Sequence, residues 1–250
     1  MKTSRFFTAL LATALIGWAT VHPALAINKS NILLPTEQEL TADLADVQKM
    51  ADGDTKTALI NELQTSLDLL QLIQTQQKNN EDLHDVLAHA DSEIKKNNAD
   101  LLAFKKQLEQ SKSVDYQAQN LADLQAALSK LSAQQQETQT ALSKANTQLA
   151  GQRSVSERAQ TSLTENLKRT QEINLTKTLR QKNQIELQLI DLKNAYNQDL
   201  LKNSDQLTLL YQSRYDLLNA RLQVLQQQIV AIQEVINQKN LAQTQNQVEQ

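Results

Sequence analysis

The chain has 250 residues, with only 3 glycines, 2 prolines, 1 tryptophan, 4 tyrosines, 3 phenylalanines and no cysteine. So little turn-forming and aromatic content excludes β-sandwiches and Rossmann-type enzymes, whereas the abundant Leu, Ala, Gln, Asn, Lys and Glu are typical of long helices. The formal net charge of −3 gives no basic surface for nucleic acid. We therefore predict an all-α fold, an elongated antiparallel helical bundle or coiled coil of about five helices.

Residues 1–26 have the features of a secretory signal peptide. Lys2 and Arg5 precede an apolar stretch at 6–19, and the Ala-Leu-Ala sequence at 24–26 places small residues where a signal peptidase cuts. An uncleaved membrane anchor is the alternative, but Pro23 interrupts the segment before the roughly 20 apolar residues that a spanning helix needs. Cleavage after residue 26 removes two basic residues and takes the net charge from −3 to −5. We expect an exported chain without disulfides or a lipid anchor, since it has no cysteine.

Cap and turn residues predict where the first helices begin. After an extended lead-in at 27–35, Thr36 and Glu39 stand three residues apart, which is the spacing of a capping box. The Asp-Gly-Asp sequence at 52–54 predicts a turn in which the glycine is left-handed and Asp54 caps the second helix. A calcium loop is the alternative interpretation of this acidic turn, and the missing acidic ligands further along disfavour it.

Further turn signals divide the remaining chain. Gly151 stands where a helix C-cap is expected, Ser154 with Glu157 repeats the capping-box spacing, and Ser204 after Asn203 predicts a last turn and cap. We expect turns near residues 52, 112, 152 and 203 to fold the helices antiparallel on one another. The predicted helices span about 37–50, 55–110, 113–150, 154–202 and 204–240, within one helical coiled-coil domain at 36–240, and a frayed tail follows at 241–250.

Apolar residues recur at alternating steps of three and four, the 3.5-residue repeat of a coiled-coil seam. The last seam is the strongest, because no polar residue interrupts it, and we interpret its two tyrosines as packed core. Asn97 is a polar break in the first seam, and Gln135 and Thr138 weaken the second. The predicted seams are Leu87, Ala90, Ile94, Asn97, Leu101, Phe104 and Leu108; Leu121, Leu124, Leu128, Leu131, Gln135, Thr138, Leu142, Ala145 and Leu149; Leu163, Leu167, Thr170, Ile185, Leu189, Leu192 and Tyr196; and Tyr211, Tyr215, Leu218, Leu222, Leu225, Ile229, Ile232 and Ile236.

Residues for catalysis or ligand binding are scarce. Two histidines follow the signal segment, His84 and His89, and their five-residue spacing points them in different directions on a helix. Asp85, His89 and Glu93 share one helix face and offer an alternative as ligands of a divalent ion, but we interpret them as a solvated face. Because the sequence has no cysteine, no nucleophile with an adjacent base and no glycine-rich phosphate loop, we predict no enzyme. We name no catalytic, cofactor-binding or metal-binding residue.

Three segments of the chain resemble a known family. They are LPTEQELTADLADVQKM at 34–50, ALINELQTSLDLLQLI at 58–73 and YQSRYDLLNARLQVLQQQIVAIQEVINQKNLAQTQ at 211–245. With the signal segment, they resemble the periplasmic amino-terminal region, labelled the porin domain, of large MscS-like mechanosensitive channels of the potassium-dependent mechanosensitive channel or potassium efflux protein type. The resemblance implies a helical domain at the outer face of the inner membrane, ahead of a multi-span channel that serves the osmotic response.

Members of that family continue into transmembrane helices, whereas this sequence stops at Gln250. We therefore expect a chain that lacks the pore and does not conduct ions alone. Its expected partner is a channel transmembrane subunit or another copy of itself, with the cell envelope as a further contact, and neither nucleic acid nor a small-molecule substrate is expected. The alternative is a stand-alone periplasmic coiled-coil protein with a structural or adaptor role. An enzyme is a third class, disfavoured by the lack of converging polar residues.

Overall fold

The computed structural model describes residues 34–110, 116–176 and 180–248, and over these ranges it contains six helices and no strand. All six belong to the unit that begins at Glu37, and the three described residues before it are not helical. The predicted all-α fold, an elongated helical bundle, is confirmed, and the predicted signal peptide at 1–26 lies outside the described residues. The helices are α1 (Glu37–Gln48), α2 (Asp54–Gln110), α3 (Leu121–Gln152), α4 (Val155–Leu175), α5 (Gln181–Lys202) and α6 (Ser204–Val248).

The five longer helices form three rods. The first is α2, whose 57 residues at about 1.5 Å each make a rod of roughly 86 Å. Arg153 and Ser154 alone separate α3 from α4, and Asn203 alone separates α5 from α6, which gives an α3–α4 rod and an α5–α6 rod. The short helix α1 packs on α2 and buries Leu40 completely.

The α3–α4 and α5–α6 rods run antiparallel. Near the middle of the rods, the Gln152 side-chain amide donates to the Ser204 carbonyl over 3.5 Å. Further along α4, Asn166 Nδ2 donates to Asn194 Oδ1 over 2.8 Å. The residue numbers rise in one rod and fall in the other, so the chain reverses between α4 and α5.

In contrast, α2 runs parallel to the α5–α6 rod. Asn80 Nδ2 donates to the Leu192 carbonyl over 3.1 Å, and Asn97 Nδ2 donates to Ser213 Oγ over 3.0 Å. Because both residue numbers rise together across the break between α5 and α6, these two helices continue in one direction along α2.

The α5–α6 rod lies between the other two, and α6 is packed against both α2 and α3. Residues of the seams predicted on α2, α3 and α6 are buried or half-buried in the structure, which confirms these seams. Burial on α6 extends beyond the single predicted stripe because this helix has neighbours on two sides. The additional buried residues of α6 are Leu207, Leu210, Ser213, Val224 and Val235.

One correction concerns residues 154–202, which form two helices rather than the predicted one. At the end of α4, Thr176 adopts an extended conformation (φ −74°, ψ 116°), and both its amide and its hydroxyl donate to the Ile173 carbonyl. A threonine hydroxyl bonded to a nearby carbonyl offers the backbone an alternative to the helix. The seam prediction also fails at Leu167, which is 53% exposed, because α4 packs mainly against α5.

A second correction concerns the predicted turns near residues 152 and 203. Both positions do interrupt the helices. However, α4 continues in the direction of α3, and α6 continues in the direction of α5. The reversal occurs instead between α4 and α5. A local break therefore marks a change in hydrogen bonding, and the packing of the flanking helices decides whether the chain turns back.

The predicted glycine and capping roles also need correction. Neither Gly53 nor Gly151 has a positive φ, and Gly151 lies inside α3 rather than after it. Asp54 is the first residue of α2, not the residue that precedes it. Ser154 does precede α4, but its hydroxyl donates to the Gly151 carbonyl over 3.1 Å and makes no capping hydrogen bond.

Two helix ends differ from the predicted bounds. Helix α3 begins at Leu121 rather than near 113, and the Asn120 side chain caps it by accepting from the Asp123 amide over 2.8 Å. Helix α6 continues to Val248, through most of the segment for which a frayed tail was expected. The side chains at 241–246 are exposed, so this last stretch of helix is not held by packing.

Candidate functional site

A polar cluster links α2 to α6 and is here named the clamp; it comprises Glu93, Asn97, Ser213 and Arg214. Within it, Arg214 Nε and Nη2 donate to Glu93 Oε1 and Oε2 over 2.5 and 2.7 Å. The two side chains are 29% and 34% exposed. A partly buried, two-bond guanidinium–carboxylate pair combines charge with a fixed geometry, so the clamp holds α2 and α6 at one relative position.

The second half of the clamp is neutral. Asn97 Nδ2 donates to Ser213 Oγ over 3.0 Å, and the Ser213 hydroxyl donates to the Leu210 carbonyl over 2.8 Å. Asn97 is 7% exposed and Ser213 is 6% exposed, so both groups are removed from water. The polar break predicted at Asn97 thus has a matching polar residue on the facing helix, which favours a single register of the two helices.

Electrostatics reinforces the ion pair of the clamp. The hydrogen bond from Arg214 holds the pKa of Glu93 below its usual value, although partial burial opposes this shift. The same hydrogen bond raises the pKa of Arg214. The guanidinium carbon also lies 5.6 Å from the centroid of the Tyr211 ring, within the range of a cation–π interaction. Both charges are therefore present at neutral pH.

A second charged group links α4 to α5. Arg169 donates to both carboxylate oxygens of Glu186, over 2.5 and 2.9 Å, and also to Glu172 over 3.1 Å. The hydrogen bond from Arg169 lowers the pKa of Glu186. Arg169 is 44% exposed and Glu186 is 17% exposed, so this arginine is more open to solvent than the arginine of the clamp, while its carboxylate partner is more buried than Glu93.

An open cavity of about 460 Å³ lies where the three rods meet, next to the breaks between α3 and α4 and between α5 and α6. Tyr196 and Tyr211 line it together with Gly151, Gln152 and Leu207. Burial, and secondarily the nearby Tyr211, raises the pKa of Tyr196. Polar contacts join the rods beside the cavity, including the hydrogen bond from the Gln152 side chain to the Ser204 carbonyl.

The residues considered as metal ligands, Asp85, His89 and Glu93, do not converge on one point in the structure. His89 Nδ1 lies 2.8 Å from the Asp85 carbonyl on the same exposed helix face, whereas the Glu93 carboxylate is bound by Arg214. His84 Nε2 lies 3.6 Å from Asp199 of α5. Within 34–110, 116–176 and 180–248, no three His, Asp or Glu residues form a group that could hold a metal ion. Glu93 is therefore part of an interhelical contact and not of a solvated face.

Reasoning from sequence missed Arg214, Ser213 and Asn197 as polar contacts between rods. Arg214 does follow Tyr211 by three residues, a spacing that favours a ring contact on a helix. Its carboxylate partner is 121 residues away in sequence, so no local pattern identifies it. Asn197 Nδ2 donates to Ser162 Oγ over 2.9 Å. Because α5 carries many other polar residues, the sequence did not single out Asn197.

No described helix is both long and apolar enough to cross a bilayer. The sequence from residue 43 to residue 250 matches the family described as the mechanosensitive ion channel porin domain, or MscS porin. The chain belongs to this family. The match confirms the resemblance at the level of the MscS porin domain, while the potassium efflux type stays a prediction.

An uncharacterized MscS family protein of Haemophilus influenzae (strain ATCC 51907 / DSM 11121 / KW20 / Rd) is 60% identical to this MscS porin-domain chain over 257 aligned residues. The alignment covers 100% of the chain and 23% of that protein. The chain thus spans less than a quarter of the length of the curated relative that it matches. No solved structure is significantly similar to it.

Proposed function

We propose that this chain is the periplasmic helical region of an MscS-like mechanosensitive channel of the potassium efflux type, with a role in the osmotic response. The match of residues 43–250 to the MscS porin domain carries the proposal. The 60% identity to a protein named as an MscS family member supports it. Export by a signal peptide cleaved after Ala26 would place the domain at the outer face of the inner membrane.

The mechanism that we propose is mechanical coupling to a channel. A domain shifts the closed–open equilibrium of a channel only if its contacts differ between the two states. Rods tens of ångströms long, joined by the clamp, suit this task because they link contacts at one end of the bundle to contacts at the other. The proposed partner is the membrane part of the channel, either on the same polypeptide or on a separate subunit.

The first experiment tests location. Residues 1–250 are expressed in a Gram-negative host, the osmotic-shock fraction is collected, and the amino terminus of the exported chain is sequenced. Recovery of a chain that begins at Ile27 supports the proposal. A chain that starts at residue 1 and stays with the cytoplasmic fraction contradicts it.

The second experiment tests the role in gating. In the source bacterium, codons 43–248 are deleted in frame, and currents are recorded under graded suction from giant spheroplasts alongside survival after osmotic downshock. We expect a changed pressure threshold and reduced survival, with export of an unrelated secreted protein as the control. Unchanged thresholds and survival would favour a stand-alone structural or adaptor protein.

A further inference from the structure

Two of the three rods are interrupted, and the two interruptions lie opposite each other. Ser156 Oγ, just after the break in the α3–α4 rod, lies 3.1 Å from Ser204 Oγ, just after the break in the α5–α6 rod. The Gln152 side chain reaches the Ser204 carbonyl from the other side of the break. Because the rods are antiparallel, two sites that are far apart in sequence meet at one level of the bundle.

The backbone has nearly the same conformation at both breaks. Ser154 has φ −102° and ψ 3°, and Asn203 has φ −109° and ψ 16°. These values lie in the sparsely populated region between helix and extended chain. A single residue thus leaves helical geometry in each rod, while the Asn203 amide still donates to the Asp199 carbonyl over 3.0 Å. Sharp bends in helices concentrate at local disruptions of this kind.

The third rod is continuous at this level. Helix α2 contacts α5 before the break, where Asn80 donates to the Leu192 carbonyl, and contacts α6 after it through the clamp. Beside the break lies the cavity of about 460 Å³. Unfilled space lets neighbouring helices shift without the clashes that close packing would impose.

We propose that the paired breaks at residues 153–154 and 203 form a hinge, at which the α3–α4 and α5–α6 rods bend together while α2 limits the bend. The cavity supplies the room into which the rods move. The hinge is a property of the bundle itself and does not rest on the proposed channel function.

The test measures distances across the hinge by double electron–electron resonance. The chain has no native cysteine, so spin labels attach only where cysteines are introduced. The hinge pair is Thr140→Cys with Thr164→Cys, two exposed positions on either side of the break in the α3–α4 rod. The control pair is Asn79→Cys with Ala103→Cys, also exposed and 24 residues apart, on the continuous helix α2. We expect a broader distance distribution for the hinge pair, and equal widths would overturn the proposal.

A stiffened variant sharpens the test. Ser154→Ala combined with Asn203→Ala raises helix propensity at the residue that leaves helical geometry in each rod. We expect this double variant to narrow the distribution of the hinge pair toward that of the α2 pair. Gln136→Ala, at an exposed position within α3, is the matched control and should leave both distributions unchanged. A hinge distribution that the double variant does not narrow, in a chain of unchanged helicity, would overturn the proposal.

Discussion

Helix α6, which packs between α2 and α3, differs from helix α4, which packs mainly against α5. Around α6, Leu124, Ile232 and Val235 form a buried cluster, and the clamp adds a partly buried ion pair. On α4, Leu167 is 53% exposed and Leu175 is 81% exposed, at the end where the chain reverses. A helix enclosed from two sides gains far more from apolar burial than one with a single main neighbour. The comparison implies that substitutions in the core around α6 cost more stability than substitutions on the exposed face of α4.

The strongest test of this comparison removes the seam of α6. Deletion of residues 211–236 takes away the side chains against which α2 and α3 pack, so we expect the domain to lose most of its helicity, measured by circular dichroism. Truncation after Asn240 is the control, because the side chains at 241–246 are exposed, and it should retain the helicity of the remaining chain. Full helicity after the 211–236 deletion would contradict the seam assignment.

Two point substitutions compare a buried position of α6 with an exposed position of α4 by their effect on the free energy of unfolding. Ile232 is 1% exposed, so Ile232→Ala removes buried methyl groups and is expected to lower the free energy of unfolding by about 2–5 kcal/mol. Leu167→Ala in the hairpin is expected to change it by no more than about 0.5 kcal/mol, as at other exposed sites. Urea unfolding followed by circular dichroism measures both values. Similar losses for the two variants would contradict the difference in burial between these two positions.

The charged groups of the two regions should also differ, by a smaller amount. Arg214→Ala leaves the partly buried Glu93 without its partner and removes the contact with Tyr211, with an expected cost of about 1–2 kcal/mol. Arg169→Ala removes a more exposed arginine, and Glu186, 17% exposed, keeps Lys182 and Lys193 nearby, so the expected cost is about 0.5–1 kcal/mol. The free energies of unfolding in urea report the difference. A larger loss for Arg169→Ala would reverse the assigned ranking of the two contacts.

The smallest expected effect is a dependence on pH. The folded-state pKa of Glu93 lies below its ordinary value of 4.5, so the ion pair stabilises the fold above that pH and the contribution is lost as the pH falls through the folded-state pKa. We expect the free energy of unfolding to decline on acidification below about pH 4.5, and to decline less steeply in Glu93→Gln. Denaturant titrations between neutral pH and pH 3 measure this. Identical slopes for the two chains would mean that Glu93 contributes nothing to the acid sensitivity.

Periodicity in the sequence was enough to locate the seams, since burial at Ala90, Leu124 and Ile232 follows directly from the heptad spacing. The break near Asn203 was also readable, because Asn and Ser disfavour helix interiors. The direction of the chain after this break could not be predicted from the sequence, because the packing of α5 and α6 against α2 determines it. The reversal after Leu175 carries no glycine or proline within the described residues, so the usual turn signals do not mark it.

The candidate site was less predictable than the fold. Asn97 was recognised as a polar residue in an apolar seam, but its partner Ser213 depends on how two helices align across 116 residues of sequence. The pairing of Glu93 with Arg214 depends on the same alignment. Contacts of this kind are set by the relative position of the rods, which the pattern within any one helix does not encode.

The clamp has two halves that respond differently to sliding of α6 along α2. Arg221 stands one heptad beyond Arg214, so a seven-residue slip would present Glu93 with another guanidinium. The same slip would bring Ala220 opposite Asn97 and strand a buried amide without a partner. The charged pair therefore tolerates a displaced alignment that the neutral pair penalises. The hydrogen bond between Asn97 and Ser213 therefore favours the observed alignment more strictly than the ion pair of Glu93 and Arg214 does.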